Sequence, residues 1–542
     1  MNKLYFLLLS IQVNFIGIIS AESIDKYDDP HFKDDRATSV ELWEWRFDEV
    51  AKECERFLGP NGYGGVLIST VWEHELMENP VVNNKYGLIS YKIMTRYGNE
   101  AQLADMAERC NSVGVRVYVD CNIGTTSFPY KGGGFSGTPL DGRNRSYPGI
   151  PFSMENFNYG PSCPTKSGNI ENPKNPIQLR NCMLTGLNDL DNGQKYVQDK
   201  IVEAINKLIG SGIAGIRIDA SYLNWLKNLK KISERTNDLD IRFFEKNSTI
   251  HIFHSIKYES GLKPSPGPNP EGYQKIGSIV AVDARRKIVD AFRKRDYERI
   301  ADLITPHDEA WNRIPSQSAV ILIDSAAYQN EDLPSDAINF RLPYTLIRAT
   351  AFMLAWPYGL PLVMSSFNYT IAPAPEFWKL NPMARKWPAA RAPVGPNGFS
   401  ADVIIKSDSS CGYPWICEHR WKSISNMVKF RNVIGDEPVE NWVILGEDVI
   451  AFSRGSKGFI LIVNDASLIN YEFQTGLPEG EYCDIISGNL TGDPKKPCSG
   501  DIIKVQSDGR AQIYLDVGTD KTSVIAFHIK SRVPEEFRDS FK

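Results

Sequence analysis

Gly215-Ile-Arg-Ile-Asp219 is an apolar run with one cation inside it and a carboxylate at its end. Upstream, Val197, Ile201, Ala204, Ile205 and Leu208 recur on one helical face, so helix and strand form one unit of a parallel sheet with crossover helices. The unit recurs in both directions. Short apolar runs lie at residues 40–45, 65–69, 115–119, 250–253, 319–323 and 361–364, and Phe47, Val50, Ala51, Cys54 and Phe57 mark another helical face. Seven candidate strands in all favour a closed barrel over a small open sheet. Chemistry in such a barrel sits where strands end at the C-terminal face, and Asp120, Asp219, His254 and Asp324 all fall at strand ends. Arg217 precedes Asp219 by two residues, so both side chains point to one side of the sheet. An arginine there holds the carboxylate ionised, as a nucleophile requires.

Domain limits follow from changes in character. Residues 125–189, after the third run, are rich in Gly, Pro and Asn and are expected to form an inserted subdomain. The barrel then occupies 22–124 and 190–434. From 435 to 542 short alternating strands such as 449–452 and 459–463 indicate an antiparallel β-sandwich. The 542 residues, 42% apolar and 23% charged, describe an ordinary globular chain. Lys plus Arg (61) against Asp plus Glu (66) leaves no basic excess for nucleic acid. A neutral partner fits better.

Residues 1–21 place Lys3 before an apolar run that ends at Ser20 and Ala21, the order of a cleaved secretory signal. Export and an extracellular location without a membrane anchor are therefore expected; the competing reading is an uncleaved anchor. Sequons at Asn144, Asn247, Asn368 and Asn489 are glycosylation candidates. Nine cysteines leave at least one thiol unpaired or bridging chains. Cys411/Cys417 and Cys483/Cys498 are close pairs and Cys163/Cys182 brackets the loop-rich insert. Cys54/Cys110 is then long-range, which leaves Cys121 as the free thiol.

Taken together, Trp43-Glu-Trp, Glu53-Cys-Glu-Arg-Phe-Leu-Gly-Pro, Gly98-Asn-Glu-Ala-Gln, Val117-Tyr-Val-Asp, Arg217-Ile-Asp, Trp415-Ile-Cys-Glu-His-Arg-Trp and Tyr482-Cys-Asp-Ile-Ile-Ser-Gly resemble the animal-type alpha-amylase family of glycoside hydrolases. The resemblance spans nearly the whole chain after residue 21. It implies a (β/α)8 TIM barrel, the four cysteine pairs and a retaining cleavage of α-1,4-glucan by an Asp nucleophile, a Glu acid and a second Asp. The nucleophile falls on Asp219 and its supporting arginine on Arg217. The acid falls on His254, with Glu245 or Glu259 as substitutes under a local shift of register, and the second Asp falls on Ala327.

The resemblance also implies calcium and chloride as cofactors, but their ligands have changed. The calcium positions fall on Gly124, Arg180, Asp189 and Leu223, and a glycine supplies no hard side-chain oxygen. The chloride positions fall on Arg217, Ser325 and Tyr344. Neither cofactor is expected. Sugar-contacting histidines become Thr125 and Ala326, the stacking tryptophans become Val82 and Asn83, and Tyr86 remains for substrate. The sequence thus points to a secreted, monomeric amylase homologue without hydrolytic activity, binding a glycan or a protein through its altered cleft. The alternatives are a weak or altered alpha-amylase and a non-enzymatic amylase-like subunit of a membrane complex.

Overall fold

The computed structural model describes residues 27–77, 80–255, 270–304, 311, 313–326, 337–372, 389–465, 468–516 and 522–538. The expected signal at 1–21, Glu259 and Ala327 lie outside them. Eight parallel strands close into a barrel: β1 (Ser39–Leu42), β2 (Gly65–Ile68), β3 (Arg116–Cys121), β4 (Gly215–Ile218), β5 (His251–His254), β6 (Ser278–Val280), β7 (Ala319–Ile321) and β8 (Leu360–Ser365), with β8 pairing back onto β1. Seven of them match the apolar runs of the sequence. β6 was not among those runs. It has three residues, follows Gly277 at φ 142°, and merges within two residues into the apolar face of the helix Val282–Arg293, so no strand period develops.

Helices cover the barrel where the sequence places apolar stripes. α1 (Phe47–Glu53) is tied by Cys54–Cys110 to α2 (Glu100–Ser112). α2 starts at a reciprocal cap: Asn99 Oδ1 accepts from Gln102 N and Gln102 Oε1 accepts from Asn99 N, both at 3.0 Å. α3 (Lys195–Gly210) buries the face read from the sequence, Val197, Ile201, Ala204, Ile205 and Leu208. Burying each such side chain contributes roughly 1.5–3 kcal/mol, which makes this face the main reason the helix forms.

The insert between β3 and α3 holds a hairpin (Lys131–Gly133 with Pro139–Asp141), a short helix (Pro176–Asn181) and the Cys163–Cys182 disulfide. The C-terminal part is antiparallel throughout. β9 (Val439–Ile444), β10 (Val449–Arg454), β11 (Gly458–Val463) and β16 (Val524–His528) form one sheet, and β12 (Leu468–Gln474) with β15 (Arg510–Asp516) and β13 (Gly480–Cys483) with β14 (Ile502–Val505) form two ribbons. Alternation decides how it packs. Ala451, Phe459 and Leu461 meet Phe473, Tyr482 and Ile513 on the ribbon side. Ile450, Phe452, Ile460 and Ile462 join the core shared with the barrel helices.

Cys411–Cys417 and Cys483–Cys498 also form, and Cys121 is free and buried. Among the described residues no helix is long and apolar enough to cross a membrane. The four sequon asparagines are all exposed.

Candidate active-site cleft

A cavity of about 170 Å³ opens at the C-terminal face of the barrel, between strand ends and the insert. Its charged floor comes from two neighbouring strands. β3 and β4 pair with Arg217 opposite Asp120, so Asp120, Arg217 and Asp219 lie on one face. Arg217 forks between the two carboxylates, with NH1 2.6 Å from Asp120 Oδ1 and NH2 3.0 Å from Asp219 Oδ1. Burial opposes its charge, but Asp120 and Asp219 outweigh burial and hold the guanidinium protonated well above its ordinary range. Tyr86 donates from its hydroxyl to Asp120 Oδ2 at 2.8 Å. Arg217, Asp219 and Tyr86 are thus brought together, with Asp120 between them.

The end of the neighbouring strand differs from the sequence reading. β5 pairs with β4 so that Ile218 lies beside His254 and Arg217 beside Phe253. Arg217 faces the cleft, so His254 faces outward with Ile218, packed among Ile205, Leu229 and Ile232 of the surrounding helices. Its Nε2 donates to Ile276 O at 3.1 Å, which leaves Nδ1 as the acceptor 2.9 Å from Ser221 Oγ. Burial lowers its pKa to about 4, so at neutral pH it is an uncharged packing residue. The residue of this strand end that lines the cleft is Ser255. Three residues beyond β7, Asp324 shares a small apolar pocket with Leu346, Thr350 and Met353, while Ala326 lines the cleft. Glu245 is exposed and does not line the cleft. Among the described lining residues, Asp219 is the sole carboxylate.

Val82, Asn83, Thr125 and Leu223 all line the cavity, so the changes read from the sequence fall at the site itself. A carboxylate that the sequence reading missed lies beneath it. Glu41 on β1 is buried, and burial raises its pKa against the opposing pull of Arg217 and Lys85. Its position two residues before Trp43 on a strand was the available signal.

At the positions implied for calcium, the side chains have other partners. Asp189 is buried, and its Oδ2 already accepts from Asn158 Nδ2 at 2.8 Å. The Arg180 guanidinium lies over the Trp225 ring, 5.0 Å from its centroid. A Cβ at position 124 would stand 2.8 Å from Asn224 Oδ1, so the space for a ligand side chain there is filled. Among the described residues no group of three or more His, Cys, Asp or Glu can hold a metal ion. At the positions implied for chloride, Arg217 bridges two carboxylates, Ser325 is buried and Tyr344 is 43% exposed.

A closed parallel barrel with an insert after its third strand, a C-terminal antiparallel domain and an Arg–Asp pair ending the fourth strand defines a glycoside-hydrolase-type scaffold. Residues 442–530 match the family model for the alpha amylase C-terminal all-beta domain. The chain is 39% identical over 517 residues to an alpha-amylase of Dermatophagoides pteronyssinus, covering 94% of this chain and 100% of that one. It is 36% identical to human alpha-amylase 1B, covering 92% and 95%. The crystal structure of alpha-amylase I from Eisenia fetida superposes with a TM-score of 0.82 at 32% identity, covering 92% and 98%. The chain belongs to the alpha-amylase family.

Proposed function

We propose that this chain is a secreted member of the family that binds through its cleft and does not hydrolyse α-1,4-glucan. The observation that carries the reading is the rest of the cleft rim, where Ser255 and Ala326 line the cavity and His254 and Asp324 pack away from it. Retaining hydrolysis needs a nucleophile and a proton donor on either side of the scissile bond. Asp219 is in place as the first. Losing a general acid costs about 10²-fold to 10⁴-fold in rate, and losing preorganised charge about 10²-fold to 10³-fold. Such losses do not simply multiply, because catalytic groups act as a unit.

His254 does not rescue the step. Its proton-bearing nitrogen is spent on a backbone carbonyl, its ring lies outside the barrel, and it is neutral above about pH 4. The bound partner is a neutral glycan or a protein surface; the retained Tyr86 and Asp219 favour the glycan. Four disulfides support export, since such bonds persist in oxidising compartments.

The test is hydrolysis of soluble starch and a maltooligosaccharide by the purified chain, beside Asp219→Ala and with a parallel binding titration. The expected result is no turnover above the variant, with saturable binding. Turnover that Asp219→Ala abolishes refutes the proposal and favours a weak alpha-amylase.

A further inference from the structure

Buried amides cross the joint between barrel and insert. We infer that an amide lock, Asn192 with Asn224, replaces the family's calcium ion as the brace between barrel and insert, so that this chain holds its cleft without calcium. The inference does not depend on whether the cleft hydrolyses or only binds.

Three segments meet at the joint. Residues 122–125 leave β3, residues 188–192 return from the insert, and Ser221–Leu223 and Asn224 follow β4. Their backbones are stitched by Leu190 N to Gly124 O at 2.9 Å and Thr126 N to Asn188 O at 2.9 Å. Side chains then close the gap. Asn192 Nδ2 donates to Asn224 Oδ1 at 2.6 Å and to Ile123 O at 3.1 Å, so one amide ties the returning segment to both of the others. Asn158 does the same inside the insert, donating to Asp189 Oδ2 at 2.8 Å and to Leu190 O at 3.2 Å. Asn192 and Asn224 are each 4% exposed, which is where an unmade hydrogen bond is most costly.

The lock and a calcium ligand at 124 exclude each other. Gly124 leaves the room that Asn224 fills, with Oδ1 at 2.8 Å and Nδ2 at 3.0 Å from where a Cβ would stand. Calcium takes six to eight oxygens, several of them charged. Here Asp189 is hydrogen-bonded to an amide, Asp191 accepts from Gly193 N and Gln194 Nε2, Asn224 Oδ1 is taken by Asn192, and Asn192 Oδ1 is the lone side-chain oxygen of the lock without a protein partner. A single neutral amide oxygen does not assemble a cation shell.

The experiment is thermal unfolding of the full chain in millimolar calcium chloride and in EGTA, with calorimetric titration of calcium into the apo chain. A ligand bound to the native state alone raises Tm with its concentration. The expected result is one Tm under both conditions and no saturable heat. A Tm several degrees lower in EGTA, or stoichiometric calcium binding, overturns the inference. Asn192→Leu supplies the second arm: it removes both donors, and Tm is expected to fall by several degrees with the insert becoming the first site of limited proteolysis. An unchanged Tm and digestion pattern would equally overturn it, and if Asn192→Leu does not fold, the chelation arm still decides.

Discussion

On the wall of the cleft built by β3 and β4, strand-end charges face one another across the cavity floor. On the wall built by β5 and β7, the strand-end polar groups lie on the helix side. Asp120, Arg217, Asp219 and Tyr86 form one connected set on the first wall. His254 and Asp324 are packed between barrel and helices on the second, leaving Ser255 and Ala326 to the cavity. Both walls rest on the same strand scaffold, so the barrel's packing does not require charge at its rim. What differs is the consequence of change. A buried ion network penalises the loss of any one member, whereas a rim position that faces open space is free to vary.

The largest effect is therefore expected at Arg217. Arg217→Ala strands Asp120 and Asp219 without their cation, and breaking a buried pair in this way costs about 3–5 kcal/mol. Equilibrium urea unfolding measures it. A loss below about 1 kcal/mol, the size of a surface ion pair, would mean that the first wall is not a coupled network and would remove the contrast.

His254 tests the second wall with a smaller change and a definite sign. His254→Leu leaves Ile276 O without its donor, an unsatisfied buried group worth about 1–3 kcal/mol. Burial places the native pKa at about 4, below the ordinary value of 6.5. Above pH 6.5 both folded and unfolded chains carry a neutral ring and the shift contributes no pH dependence. As pH falls from 6.5 to 4 only the unfolded chain takes up the proton, so stability declines across that window and this contribution levels off below it. His254→Leu should remove part of that decline. If the decline is unchanged, or if hydrolysis appears in the wild type with a pH profile that His254→Leu shifts, His254 faces the cleft after all.

The two walls were not equally legible in the sequence, and the reason is local geometry. Arg217 and Asp219 are two residues apart on one strand, so their shared direction follows from strand period alone. The direction of His254 depends on the register between two strands, and that register is set by the pairing of Ile218 with His254, which no spacing within β5 reveals. A slip of one residue in that register exchanges the faces. Cysteine pairs and helical stripes were legible because each rests on few residues with strong preferences. β6 was not, being three residues long, and neither was the Asn192–Asn224 lock, because amides carry no period and these two come together only when the insert folds back.

The smallest expected effect sharpens the comparison most. Ser255 is half-buried; its backbone N–H donates to Ile218 O and its carbonyl accepts from Ser221 N. Those bonds survive any side chain. Ser255→Ala should therefore change stability by no more than about 0.5 kcal/mol, the range of substitutions that break no buried contact. Ser255→Glu is the informative partner, because it puts a second carboxylate across from Asp219 on the wall that lacks one. Like charges sharing a site raise the pKa of one of the pair, so a carboxyl titrating well above the ordinary range is expected in the variant's proton-linked unfolding or carbon NMR. An ordinary pKa for the new carboxyl would show that position 255 does not look across at Asp219. The register of β5 against β4 would then be the first thing to revise, and with it the assignment of His254 to the outer face.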